Sequence, residues 1–197
     1  MPGSCRRARR VTSFVAFVAF SLMRVGIALG SNLGDRLANL RRAFQAVRRT
    51  AHAGNRDSIL VSSVYETTPV GSEPGAGLYL NAAIEIESAL PADELLDRLR
   101  EVESEMGRPS MRPRNAPRTI DLDILYAGDL VLRTAKLTVP HPRLAQRAFV
   151  LTPLAEIAPA LVVPGQSKSV AQLLSELRSA DSAEELLKLR EVLDDDG

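Results

Sequence analysis

Apolar residues along this chain switch repeatedly between strand-like runs and helical spacing, and the switches mark out its elements. Val25-Gly26-Ile27-Ala28-Leu29 is a short apolar run closing on Gly30, which predicts a strand. A turn, Gly30-Ser31-Asn32-Leu33-Gly34-Asp35-Arg36, follows. Leu37, Leu40, Ala43, Phe44 and Val47 then share one helical face, with Ser31 or Asn32 as the expected cap and Asp35 in the first turn. Ile59 to Tyr65 predicts a second strand, which runs into a turn-rich loop from Glu66 to Gly77. Loops of that length usually line a site. Tyr79 to Glu87 predicts a third strand. Pro91 opens a second helix, with Leu95, Leu96, Leu99, Val102 and Met106 at 3.6 spacing and Gly107 as its stop.

The fourth strand is Arg118 to Leu125, entered from a proline-stiffened loop. The order β-α-β-β-α-β predicts an α+β, ferredoxin-like core: an antiparallel sheet with flanking helices. Leu130-Val131-Leu132 and Leu137-Thr138-Val139 predict an appended hairpin, and Phe149 to Ile157 a further helix or turn. Two short amphipathic helices are expected from Ser169, ahead of an acidic tail at Asp194-Asp195-Asp196. Three segments result: an N-terminal extension over 1–23, the main folded unit over 24–180, and a helical and acidic extension over 181–197. Arg6, Arg7, Arg9 and Arg10 precede an apolar run from Val11 to Met23 that is signal-like but short for a membrane span. The favoured alternative is that Met23 is the true start, since a clean strand opens directly after it.

Composition narrows the function classes. With 197 residues, 45% hydrophobic and 25% charged, the chain is an ordinary globular length and mix, and its net charge of +1 makes no global case for nucleic acid or an anionic membrane. Cys5 is the only cysteine, which excludes an intramolecular disulfide and a multi-cysteine zinc site and suits a cytoplasmic protein. Any phosphate affinity must come from local clusters.

One such cluster is plain. Side chains alternate along a strand, so Asp121 and Asp123 share one face while Ile120, Leu122 and Ile124 take the other. Two carboxylates converging on one patch repel, and a hard cation such as Mg²⁺, completed by a substrate's phosphates, relieves this. Arg108, Arg112, Arg114 and Arg118 flank them in a loop stiffened by Pro109, Pro113 and Pro117. Guanidiniums beside paired carboxylates suit a metal polyphosphate. His141, held between Pro140 and Pro142, could donate to a phosphate, and Asn81 could read a heterocycle's edge if buried.

Six motifs together resemble one family: G-S-N-L-G-D at Gly30–Asp35, Y-E-T-T-P-V-G at Tyr65–Gly71, Y-L-N-A-A at Tyr79–Ala83, E-x-x-M-G-R at Glu103–Arg108, P-R-T-I-D-L-D-I-L at Pro117–Leu125 and V-P-H-P-R at Val139–Arg143. The family is 6-hydroxymethyl-7,8-dihydropterin pyrophosphokinase, which acts in folate biosynthesis, and the resemblance runs from Arg24 to Ala180. It implies ATP as co-substrate, a pterin as acceptor and two Mg²⁺ ions on Asp121 and Asp123. It also implies that Arg108 and Arg118 engage the phosphates, and that His141, Arg147, Lys136, Thr138 and Ile124 contact the nucleotide. Thr67, Thr68, Val70, Gly71, Tyr79, Asn81 and Phe149 would form the pterin pocket. Asn115 and Pro142 depart from the residues many relatives carry, which implies altered loop closure or weaker ATP affinity. A monomer with no nucleic-acid or membrane partner is expected. The competing expectation is a non-catalytic ferredoxin-like module that uses the basic loop on RNA or a protein, but no aromatic pair on a central strand supports an RNA partner.

Overall fold

The computed structural model describes residues 22–51, 59–68, 77–107, 117–179, 186–191 and 193. Residues 1–21 of the expected extension, the arginine loop with Arg108, Arg112 and Arg114, the loop residues Val70 and Gly71, and the acidic tail lie outside them.

Strand β1 (Met23–Ser31) leads into helix α1 (Arg36–Thr50). Short strands β2 (Leu60–Val61) and β3 (Tyr65–Thr67) precede β4 (Tyr79–Ser88), helix α2 (Ala92–Glu105) and β5 (Asp121–Ala127). The hairpin β6 (Leu132–Arg133) and β7 (Thr138–Val139) forms as expected. It is followed by α3 (Ala148–Ile157), α4 (Val170–Ser179) and β8 (Leu186–Lys188).

The main sheet runs β5-β1-β4-β3-β8, with β2 also on β4, and every pairing is antiparallel. With β2 and β3 taken as one interrupted strand, this is the ferredoxin-like order expected from the sequence. One face of the sheet packs Val25, Ile27 and Leu29 against Leu40, Phe44 and Leu99 of α1 and α2. The other packs Ala83, Leu125 and Tyr126 against Leu151 and Leu154 of α3 and Leu174 of α4. No helix among the described residues is long and apolar enough to cross a membrane.

Three expectations need correction. The strand expected over Ile59–Tyr65 is interrupted at Ser62–Val64, because Ser62 places its hydroxyl as well as its backbone on Ala83: Ser62 N–H donates to the Ala83 carbonyl and Ala83 N–H donates to Ser62 Oγ, both at 2.9 Å. The cap of α1 is Asp35, whose Oδ1 accepts the Ala38 N–H at 3.0 Å. Ser31 ends β1, and Asn32 is used elsewhere. Beyond Ser169 there is one described helix, α4, and the second amphipathic segment contributes β8 instead. Leu-Leu-Lys suits either state by propensity, and the exposed edge of β3 selects the strand.

Candidate active site

The cleft is built on the backbone of β1. Register places Asn81, Gly30 and Asp121 in one row across β4, β1 and β5, and Ala83, Ala28 and Asp123 in the next. The middle strand thus offers only a hydrogen and a methyl group between a carboxamide and two carboxylates. A Cβ on Gly30 would stand 3.2 Å from Asn81 Oδ1, so this row closes if position 30 gains a side chain. Tyr79 and Phe149 complete the walls, and Asp121 and Asp123 are both half-buried on the cleft side. On the opposite side, Leu122 and Ile124 of β5 and Ile120 just before it are buried in the core under α1 and α2, as the alternation requires.

Backbone contacts fix the start of β5. Arg118 N–H donates to Asn32 Oδ1 at 2.7 Å, and Asn32 N–H donates back to the Arg118 carbonyl at 3.1 Å. The glycine-rich turn after β1 therefore clamps the lead-in to the aspartate strand, three residues before it begins. From the other side, Glu103 of α2, itself buried, accepts the Leu122 N–H at 2.8 Å. That amide lies between the two aspartates on the edge of the sheet.

Cations gather around the carboxylates. Arg118 Nη1 pairs with Asp121 Oδ2, while Arg118 Nε is buried without a hydrogen-bond partner among the described residues. Arg147 senses Asp123 and Asp121 as well as the like charges of Arg143 and Arg118, and its guanidinium carbon stands 5.3 Å from the Phe149 ring centroid. Burial, then the charges of Arg147 and Arg143, push the His141 imidazole down to about 4, against a weaker opposing pull from Asp121. His141 is therefore neutral near pH 7. Its Nδ1 accepts the Arg143 N–H at 3.2 Å, which leaves the ring proton on Nε2 as a donor. His141 N–H donates to the Leu125 carbonyl at 2.8 Å, tying this segment to β5.

Asn81 is 6% exposed, and its Nδ2 donates to Thr67 Oγ1 at 2.7 Å. With that donor engaged, the amide is oriented and its oxygen lies toward Gly30.

Of the residues singled out in the sequence, the fold thus brings Asp121, Asp123, Arg118, His141, Arg147, Asn81, Tyr79 and Phe149 around one cleft. Thr67 lies behind Asn81. Thr68 lies outside the cleft, exposed beside Leu186. Ile124 is buried on the far face of β5, Thr138 is half-buried in β7, and Lys136 Nζ is paired with Asp97 of α2 at 2.6 Å. Arg108, Val70 and Gly71 lie outside the described residues.

The sequence reading missed the work of Glu103, Asn32 and Gly30. A signal for Glu103 existed: it falls four residues after Leu99 on the apolar face of α2, where an acid must find a partner.

Comparison with known proteins agrees with this geometry. Residues 26–159 match the family described as 7,8-dihydro-6-hydroxymethylpterin-pyrophosphokinase (HPPK). The 2-amino-4-hydroxy-6-hydroxymethyldihydropteridine pyrophosphokinase of Bacillus subtilis (strain 168) is 47% identical over 131 residues, covering 66% of this chain and 75% of that protein. Its namesake from Haemophilus influenzae is 37% identical over 163 residues, covering 83% and 96%. A mitochondrial folate synthesis bifunctional protein of Pisum sativum is 42% identical over 135 residues, and this chain spans 25% of it. Among solved structures, an HPPK-DHPS in complex with substrates superposes with a TM-score of 0.61 at 11% identity, over 81% of this chain and 44% of that one. A wild-type Plasmodium falciparum HPPK-DHPS with pteroate gives 0.62 at 14%, over 81% and 43%. These two structures speak to the fold alone, and this chain spans less than half of each. The family match over residues 26–159, from β1 through α3 and including the aspartate strand, together with bacterial relatives matched over most of their length, makes this chain a member of the HPPK family.

Proposed function

We propose that this chain moves the β,γ-diphosphoryl group of ATP intact onto the hydroxymethyl oxygen of 6-hydroxymethyl-7,8-dihydropterin, a step of folate synthesis. The alcohol oxygen attacks the β-phosphorus, the bond from that phosphorus to the oxygen of the α-phosphate breaks, AMP leaves, and one proton is released. Transfer at phosphorus demands alignment and charge neutralisation far more than a covalent side chain. The single observation that carries the reading is the row Asn81–Gly30–Asp121: an oriented amide for a ring and a carboxylate for a metal polyphosphate face each other across a bare strand.

Asp121 and Asp123 offer only oxygen donors, which suits Mg²⁺, and among the described residues no third His, Cys, Asp or Glu joins them. The remaining ligands would be phosphate oxygens and water. Two Mg²⁺ ions held there would offset charge on the attacking and leaving oxygens. Arg118 and Arg147 neutralise phosphate charge, with Arg108 joining from its loop, and the Nε2–H of His141 donates to a phosphate oxygen. Asn81 reads the pterin edge while Tyr79 and Phe149 flank the ring. The chain works in the cytoplasm as a monomer.

The test is the product. Purified protein given ATP, Mg²⁺ and the pterin alcohol is expected to form AMP and pterin diphosphate in equal amounts. Formation of ADP, or AMP release that does not depend on pterin, would overturn the assignment.

A further inference from the structure

We infer that the C-terminal strand β8, which lies beyond the family match ending at residue 159, positions the pterin side of the cleft. The inference rests on the reading of Asn81 as a pterin contact. Strand β3 has only three residues, and it carries Thr67, the acceptor that orients Asn81. Without β8, β3 would be the outer edge of the sheet, and so short an edge strand frays readily.

β8 closes that edge in register, Lys188 opposite Tyr65, Leu187 opposite Glu66 and Leu186 opposite Thr67. Leu189 N–H donates to the Val64 carbonyl at 2.9 Å. Antiparallel alternation then makes Leu187 and Glu66 the next pair to exchange both backbone hydrogen bonds.

Two anchors hold β8 in place. Leu193 is 1% exposed in the core, against α1 and α2. Lys188 Nζ reaches Glu156 Oε1 of α3 at 3.0 Å. The same carboxylate accepts from Ser63 N–H at 3.0 Å, Ser63 Oγ at 2.8 Å and the Tyr65 hydroxyl at 3.0 Å. Burial alone would raise the Glu156 pKa, but these donors outweigh it and hold the group below the usual carboxylate range. The knot therefore joins β8 to β3, which carries Thr67, and to α3, which carries Phe149. Both walls of the pterin side are tied directly to β8, while the aspartate strand β5 lies at the opposite edge of the sheet.

That asymmetry sets the experiment. In the full-length chain, Leu187→Pro removes a ladder donor at a side chain that is 60% exposed, and Leu187→Ala serves as control. Leu187→Pro is expected to raise the KM for pterin about five- to tenfold, the scale of one or two lost hydrogen bonds, with the KM for ATP and kcat within about twofold. The control should match the unaltered chain. Equal parameters in the proline and alanine variants would overturn the inference, as would a parallel loss on both substrates. If Leu187→Pro does not fold, Lys188→Ala decides by the same split, with Lys188→Arg restoring the pterin KM. Failure of the functional reading would show separately, as absence of pterin-dependent AMP from the unaltered chain.

Discussion

The Tyr126 hydroxyl donates to Glu85 Oε2 at 2.5 Å, its ring lying across Gly26 of the strand between them. Gly26 pairs with Glu85 on one side and Tyr126 on the other, so a single row spans three strands. Burial and the neighbouring carboxylate raise the Tyr126 pKa far above its ordinary value, and the phenol stays protonated as a donor. A Cβ at position 26 would stand 2.1 Å from Tyr126 Cε1. Gly26→Ala is therefore expected to destabilise the fold by about 2–3 kcal/mol, as overpacking does. Urea unfolding would register this as a lower midpoint at unchanged slope. A midpoint equal to the parent's would show that the ring moves aside freely.

Asp123→Ala removes one of the two carboxylates from the cleft without opening the core, since the side chain is half-buried beside Ala28. The expected loss in kcat/KM is at least about a thousandfold, in line with losing a charged group that stabilises the transition state. The melting temperature should stay within about 3 °C of the parent. Near-normal turnover would remove the metal-binding role.

The His141 pKa of about 4 against an ordinary 6.5 has a definite sign. Between those values the unfolded chain holds more protons than the folded one, so stability falls as pH drops from about 6.5 toward about 4. In the ligand-free protein the imidazole C–H resonances of His141 are expected to stay at their neutral positions from pH 8 to pH 5. His141→Gln should lose this share of the acid sensitivity. Titration of His141 near pH 6.5 would show the ring to be solvated.

Thr67→Val keeps the shape of a buried side chain but deletes the oxygen that accepts from Asn81. Freed of its tether, the amide is expected to bind pterin about tenfold more weakly, with Thr67→Ser close to the parent. Pterin titration by fluorescence would measure both. Equal affinity in the valine variant would show that Asn81 is oriented by other contacts.

How much of this was legible beforehand depends on the length of each signal. The alternation at Ile120-Asp121-Leu122-Asp123-Ile124 is local and unambiguous, and the strand faces as it predicts. The apolar spacing of α1 and α2 was equally plain. Strand β8 was not, because its residues follow Ala183-Glu184-Glu185 in a run that favours a helix by propensity, and only the bare edge of β3, far away in sequence, makes Leu186-Leu187-Lys188 a strand. The interruption at Ser62 escaped for a related reason: it depends on a side-chain hydroxyl substituting for backbone. At the site, charged residues announced themselves, while Gly30 and Ala28 act by lacking atoms and are visible only once their neighbours are in register. Thr67, marked by the resemblance as pocket lining, turns out to steer Asn81.

Strand β1 shows the cleft almost nothing but main chain at Ala28 and Gly30. On the proposed reading, mutation retunes ligand preference from the outer rows, where Tyr79, Asn81 and Phe149 stand, but hardly from the centre. Added carbon at position 30 fills the trough rather than reshaping it. Drift toward a new acceptor molecule is channelled to the margins of the sheet, and its middle lane is left as the one part of the cleft that cannot be varied.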